Sequence, residues 1–377
     1  MTAVGTRRAD AIVVGAGIVG AACAVALARD GLRVLVLDAD RPALGTTAAG
    51  MGHLVVMDDS PEQLALTRYS VALWREQAEA VCAASELEWC GTIWVAEDAA
   101  QLDAVQAKRR LYAAQGIATE ILDEHTLYEA EPNLRRGLAG GLRVPSDGVI
   151  YPPAATVALL RVGRELGVEV VDQSPVDEVV AGGCRCGSDT LRADIIVNAA
   201  GAAASRLTPQ LPVVPRKGHL VITERHPGFC RHQLVELGYL TSAHVMTTES
   251  VAFNVQPRGT GQVLIGSSRE LVGWDPSINR RVLGKMIARA TAFMPGLADL
   301  TAVRTWTGFR PATPDKLPLI GRWPEIPGLW IAAGHEGLGI TTSLGTAAIL
   351  ADLVAGREPA IDAAAFAPDR GIPAGVH

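Results

Sequence analysis

The sequence has 377 residues, 49% of them hydrophobic and 20% charged, which excludes a disordered chain. That length exceeds what one hydrophobic core commonly organises, so two domains are expected. The formal net charge is −6, from 40 acidic and 34 basic residues with no Lys/Arg-rich block, which argues against a nucleic-acid partner.

Residues 11–28 are a nearly unbroken apolar run after Arg7-Arg8 and could pass for a signal peptide or an anchor. Asp10 stands directly before the run and glycines interrupt it. It resolves into a buried strand over 11–14, a turn over 15–20 and a helix over 18–29 that stops at Gly31. No other run is long enough to span a bilayer. A second buried strand over 33–37 ends at Asp38, and a loop of small residues follows over 45–53. An amphipathic helix is expected over 61–82, with Leu64, Leu66, Tyr69, Leu73 and Trp74 on one side. Then come a strand over 92–96, a helix over 98–115 and a short helix over 123–130. Asp147-Gly148 marks a turn before a helix over 152–166 and strands over 168–171, 176–180 and 193–198. The region 213–270 alternates in period two and is rich in turn residues, so it reads as an antiparallel sheet. A helix over 276–293 stops at Pro295-Gly296. Strands near 303–309 and 329–333 and a helix over 338–355 close the pattern. The Pro/Ala/Gly-rich tail after Arg357 reads as loose.

Six cysteines, at 23, 82, 90, 184, 186 and 230, lack the CxxC spacing of redox or zinc motifs and read as reduced thiols; no metal site is expected. The chemistry-bearing signal is Gly15-Ala16-Gly17-Ile18-Val19-Gly20, a GxGxxG that follows a buried strand and opens a helix. Asp38 stands 23 residues after Gly15 at the end of the next strand, close to the usual spacing of about 20. Gly15 suits the tight turn, Gly17 lets backbone N–H groups approach a pyrophosphate, and Gly20 lets helix and strand pack closely. The helix dipole faces the phosphates, and Asp38 would accept from ribose hydroxyls. This reads as dinucleotide binding rather than a plain glycine-rich turn. The fingerprint alone does not separate NAD from FAD; its N-terminal place, with later segments returning to the same domain, favours FAD.

The chain resembles the D-amino-acid oxidase family of FAD-dependent oxidoreductases along nearly its whole length. The resemblance rests on the fingerprint, the 45–52 loop, Asp147-Gly-Val-Ile-Tyr-Pro152, Ala193-Asp-Ile-Ile-Val-Asn-Ala-Ala-Gly201 and Pro215-Arg-Lys-Gly-His219. It continues in Trp306-Thr-Gly-Phe-Arg-Pro-Ala-Thr-Pro-Asp-Lys-Leu-Pro-Leu-Ile-Gly321 and Ala333-Gly-His-Glu-Gly-Leu-Gly-Ile-Thr341. Within the family, Ala49-Gly-Met-Gly-His-Leu-Val-Val-Met-Asp-Asp59 with Leu66-Thr-Arg-Tyr69 is similar to the catalytic beta subunit of D-hydroxyproline dehydrogenases.

The resemblance implies a mixed α/β fold, with a Rossmann-like FAD-binding domain and an inserted antiparallel-sheet substrate domain. The FAD domain would comprise 1–90, 145–212 and 304–356, the substrate domain 91–144 and 213–303, and the tail 357–377. It also implies that FAD contacts Thr46, Thr47, Ala48, Gly50, Met51 and Gly52, then Val176, Ala200, Gly201 and Gly308. The motif Gly337-Leu338-Gly339-Ile340-Thr341, opening the last helix, would face the flavin edge that becomes negative on reduction. No cysteine falls near the carboxylate-binding motif, so FAD is expected to be noncovalent.

Arg310 is the implied clamp on a substrate carboxylate, in a Gly-Phe-Arg-Pro turn at a strand end. An internal ion pair, for example with Asp315, is the alternative. His53, Glu336, Tyr239 and His244 are candidates to border the substrate, while Arg258 and Arg269 read equally well as surface or sheet-edge charges. The expected reaction is removal of a hydride from Cα of an amino or imino acid to flavin N5, giving an imine; cis-4-hydroxy-D-proline or D-proline is the favoured substrate. Alternatives are a glycine/sarcosine-type oxidase using oxygen, and a flavin-bearing relay or assembly subunit of a larger complex. A cytoplasmic location is expected, with any membrane contact made through partner subunits.

Overall fold

The computed structural model describes residues 9–78, 81, 85–238 and 249–371. The apolar N-terminal run folds as the strand Ala11–Val14 and the helix Ile18–Arg29, and both faces of the strand are buried. Ala11–Val14 sits centrally in a six-stranded sheet. Its strands run in the order Leu319–Arg322, Leu329–Ala333, Ile195–Asn198, Ala11–Val14, Val34–Leu37, Glu169–Val171. All neighbours pair parallel except the edge strand Leu319–Arg322. Helices Ile18–Arg29, Pro152–Glu165 and Gly339–Val354 share one core with this Rossmann-like sheet.

The helix Pro61–Glu76 clasps the start of Gly339–Val354. Trp74 Nε1 donates to the carbonyls of Ile340 and Thr341 at 3.2 and 3.1 Å, and Ser70 donates to Thr341 at 2.6 Å. Ser70 also accepts from the Gly345 N–H at 2.9 Å, and a Cβ at Gly345 would lie 3.1 Å from Leu66 and Ser70. Glycine is what lets these helices meet so closely.

The second sheet has eight strands. Its order is Ala302–Ala312, Val214–Arg225, Gln262–Glu270, Glu249–Pro257, Gln233–Glu236, Thr92–Ala96, Gly140–Val144, Glu120–Leu122. It is antiparallel except where Gln233–Glu236 meets Thr92–Ala96. The period-two region thus joins strands from both sides of it in the chain. The last strand runs on to Ala312, past the expected 303–309, and the expected boundary at 303/304 falls inside it.

Three local features depart from expectation. The small-residue loop begins with a short helix, Gly45–Ala49. Residues 178–192 form a third sheet of three short strands, whose hairpin turns Cys184, Cys186 and Leu191 inward. The described part of the tail is packed rather than loose. Phe366 is 1% exposed within the nucleotide-sheet core. Arg370 makes a two-pronged ion pair with Asp315 at 2.8 and 3.0 Å and also donates to the carbonyls of Pro318 and Leu317. Apolar burial and a guanidinium fork outweigh the turn-forming composition there.

Replacing Phe366→Ala should therefore cost about 3–5 kcal/mol of unfolding free energy, the usual range for a buried phenylalanine. Urea or thermal unfolding checks it; a loss under about 0.5 kcal/mol would mean that the tail contributes nothing.

Candidate active site

A cavity of about 540 Å³ is shared by the two sheets. Gly15, Gly17, Ile18, Val19, Asp38, Val176, Ala200 and Gly201 line it from the nucleotide sheet, as do Thr46, Thr47, Gly50, Met51 and Gly52. His53, Gly308, Arg310, Glu336, Gly337, Gly339 and Ile340 line it as well. Gly15 adopts φ +110°, and a Cβ there would lie 2.5 Å from the Ala199 carbonyl oxygen. A Cβ at Gly308 would lie 2.3 Å from that of Ala49. Each of these glycines lets the segments of the cavity wall approach more closely than a side chain would allow.

Two helix N-termini open on the cavity, and neither carries a side-chain cap: Ile18–Arg29 after Gly17, and Gly339–Val354 after Leu338. Helix dipoles, and the N–H groups left open beyond that of Ile18, favour anions at both. A pyrophosphate suits the first and the N1/O2 edge of a reduced flavin suits the second, so these residues fit FAD.

Some expected contacts stand behind the wall. Ala16 gives its N–H to an Asp38 carboxylate oxygen at 2.6 Å, and the other oxygen accepts from Asp40 N–H at 2.9 Å. Burial raises the Asp38 pKa against these hydrogen bonds. A Cβ at Gly20 would lie 1.9 Å from the Gly15 carbonyl oxygen, so Gly20 serves helix–strand packing. Ala48 does not line the cavity. Thr341 is buried and donates to the His53 carbonyl at 2.8 Å, tying the last helix to the site loop. Thr46 donates to the Phe309 carbonyl at 2.7 Å and Thr47 accepts from Ile18 N–H at 3.1 Å, so both hydroxyls already hold the loop in place.

At the other end stands Arg310. It lies within the strand, opposite Arg216, rather than in a turn beyond it. Its guanidinium donates to the Ser268 carbonyl at 2.9 Å and lies over Gly218, where a Cβ would be 2.3 Å from Nη1. Asp315 pairs with Arg370 instead. Glu336 adopts φ +48°, with its N–H bonded to the Pro311 carbonyl at 2.8 Å. Its carboxylate is 3.3 Å from Arg216 and 3.8 Å from Arg269. Burial raises its pKa, but the charges of Arg269, Arg310 and Arg216 outweigh that and hold it below the ordinary range.

Arg269 is 4% exposed and therefore not a surface charge, because the strand carrying it runs through the sheet interior. Arg258 forks onto Glu86 at 3.1 and 2.8 Å and stacks over Tyr151 at 4.5 Å. Tyr239 and His244 lie outside the described residues. The His53 pKa is lowered to about 4 by burial, which outweighs a hydrogen bond to Gln256, with Arg310 adding to the lowering. Burial also lowers His335 to about 3, and its Nε2 meets the Thr346 hydroxyl at 3.0 Å. Both histidines are neutral at physiological pH.

A side compartment of about 70 Å³ shares His53, Asn254, Glu336 and Gly337 with the main cavity. Its walls include Leu338, Arg216, Arg269, Lys316 and Asp59, and Thr92, Trp94, Gln233 and Val235 come from the antiparallel sheet. Sequence reasoning assigned none of these a role except Leu338. The signal available was the Pro215-Arg-Lys-Gly218 motif, where strand alternation sends Arg216 to the site and Lys217 to Asp275 and Glu270. Behind Thr92 lies Asp147, fully buried and raised to about 7 by that burial. Its hydrogen bonds from Thr92 and Val56 N–H and the charges of Lys108 and Arg75 oppose the rise.

The family model described as FAD dependent oxidoreductase, DAO, matches residues 10–353. The hydrogen cyanide synthase subunit HcnC of Pseudomonas aeruginosa is 28% identical across 96% of this chain and 95% of its own length. Glycine oxidase from Geobacillus kaustophilus is 27% identical with a TM-score of 0.88, covering 98% of this chain and all of that one. L-proline dehydrogenase from P. horikoshii, at 22% identity and a TM-score of 0.87 over 97% of this chain and 98% of that one, shares the fold.

Two outcomes follow from the geometry. Gly218→Ala should push the Arg310 guanidinium aside, leaving flavin absorbance intact while weakening carboxylate binding about tenfold or more; equilibrium titration with a carboxylate ligand measures it. Asp147 keeps a proton in the folded state that the unfolded chain loses near pH 4. Its contribution to stability is thus present at low pH and falls as pH rises towards 7. Asp147→Asn should flatten the wild-type loss of stability between pH 4 and 7, read from denaturant midpoints.

Proposed function

The chain belongs to the DAO family of FAD-dependent oxidoreductases, and on that premise we propose that it oxidises a cyclic imino acid, cis-4-hydroxy-D-proline or D-proline. The observation that carries the reading is the Arg310 guanidinium, held over Gly218 in the wall of the cavity that also receives the N-terminus of Gly339–Val354. Bound FAD supplies the acceptor for the hydride leaving Cα. Arg310 takes the substrate carboxylate in a two-pronged hydrogen bond and so fixes where Cα lies. Glu336, kept anionic by its arginines, accepts a hydrogen bond from the substrate nitrogen. Neutral His53 and His335 add no positive charge to oppose the one that develops on the substrate as the hydride leaves.

The imino-acid choice is supported by the stretch of sequence similar to D-hydroxyproline dehydrogenases. Ala49, Gly50, Met51, Gly52 and His53 all line the main cavity, and His53, Val55, Met57 and Asp59 line the side compartment. That resemblance therefore concerns residues that face the site. A second reading, a catalytic subunit within a larger assembly, is favoured by the similarity to a hydrogen cyanide synthase subunit. Among the described residues no helix is long and apolar enough to cross a membrane.

Anaerobic titration with D-proline, cis-4-hydroxy-D-proline and a panel of D- and L-amino acids should bleach the flavin with the imino acids. An unchanged spectrum with both overturns the proposal. Arg310→Ala should retain FAD yet lose substrate reduction by a factor of about 100 or more, since a charge-assisted pair is removed. Dye reduction without matching peroxide marks a dehydrogenase; stoichiometric peroxide marks an oxidase.

A further inference from the structure

The side compartment has a polar floor. Trp94 lies opposite Val235, and Val235 opposite Asn254, in one row across three neighbouring strands. All three residues line the compartment. Trp94 is 2% exposed and Asn254 4% exposed. The Trp94 indole N–H and the Asn254 Oδ1 have no hydrogen-bond partner among the described residues. One is a donor and the other an acceptor. Buried groups of that kind are expected to be paired, so their joint lack of a partner inside a cavity points to a guest.

The guest must be small and must both donate and accept. A compartment of about 70 Å³ is less than half of the roughly 150 Å³ of an apolar cavity that takes up benzene. That excludes an aromatic or long aliphatic side chain. An apolar substituent would leave the amide and indole unpaired beside Glu336 and the cations facing it. A second carboxylate could not donate to Asn254 Oδ1. A hydroxyl meets both requirements. Two strand spacings of about 4.8 Å separate Trp94 from Asn254, a span that an indole and a carboxamide can close upon one hydroxyl.

We infer that the side compartment reads a hydroxyl group on the substrate ring, which donates to Asn254 Oδ1 and accepts from Trp94 Nε1–H. This rests on the imino-acid reading above and adds which ring is preferred. With the carboxylate on Arg310, the ring carbons lie in the main cavity and the hydroxyl enters the compartment past His53 and Glu336, which border both spaces. A site built to bond a hydroxyl rejects the analogue that lacks it more strongly than an apolar pocket rejects a missing methylene.

The test compares kcat/KM for cis-4-hydroxy-D-proline and D-proline with a dye acceptor, in the wild type, Trp94→Phe and Asn254→Leu, with FAD content recorded for each. The wild type should favour the hydroxylated ring at least tenfold. Trp94→Phe deletes the donor while keeping an aromatic ring, and Asn254→Leu deletes the acceptor at similar volume. Each should reduce the preference ratio about tenfold. Should one variant fail to retain FAD, the other carries the comparison. Equal turnover of both substrates by the wild type, or a ratio unchanged in the variant that retains FAD, overturns the hydroxyl-reading site while leaving the imino-acid reading intact. Reduction by neither substrate overturns both.

Discussion

The junction of the two sheets is organised around one buried carboxylate. Glu336 comes from the loop before the last helix of the nucleotide sheet, and it faces Arg216, Arg269 and Arg310 from three adjacent strands of the other sheet. Arg216 and Arg269 expose 2% and 4% of their side chains. Charges so far from water are tolerated only when paired, and removing one partner from such a group typically costs about 3–5 kcal/mol. Glu336 is thus the carboxylate that these three guanidiniums share. The group that joins the sheets stands in the wall of the cavity, beside Arg310. The left-handed backbone of Glu336, secured by the Pro311 carbonyl, is the local cost of aiming it there.

The two ends of the cavity present different kinds of group. At the nucleotide end the lining is largely backbone, and the side chains that could compete are occupied: Thr46 on Phe309, Thr47 on Ile18, Asp38 on Ala16 and Asp40. Rigidity there comes from glycine contacts that no other residue permits. At the Arg310 end the lining includes side chains projecting from a sheet. A sheet holds them well because register fixes which residues share a face. Trp74 and Ser70 link the two ends by gripping the first turn of Gly339–Val354, whose N-terminus faces the cavity.

The nucleotide half was largely legible in the sequence, because its signals are local. A buried strand, GxGxxG, a helix and an acidic residue occupy one stretch, and each glycine has a steric reason to be glycine. Arg310 was legible through its motif. Its setting was not: Pro311 suggests a turn, yet an edge strand tolerates proline, and the strand runs on to Ala312. The side compartment was not legible. Trp94 meets Gln233, Asn254 and Arg269 only through a strand pairing across more than a hundred residues, and nothing near Arg269 in sequence separates an interior strand from an edge. The tail misled for a related reason. Its turn-rich composition says nothing of Phe366 and Arg370, whose partners lie in distant segments.

Net charge and local charge point in opposite directions here. The whole chain carries −6, which gives an anionic substrate no long-range attraction. At physiological ionic strength that field fades over about 8 Å, whereas charges buried at a sheet junction are screened far less. A carboxylate that reaches the cavity therefore responds to Arg216, Arg269 and Arg310 rather than to the surface. Selection by such a site acts through the lifetime of the complex more than through the rate of encounter. That places discrimination between similar substrates on short-range contacts inside the cavity, where hydrogen-bond complementarity decides the outcome and overall charge does not.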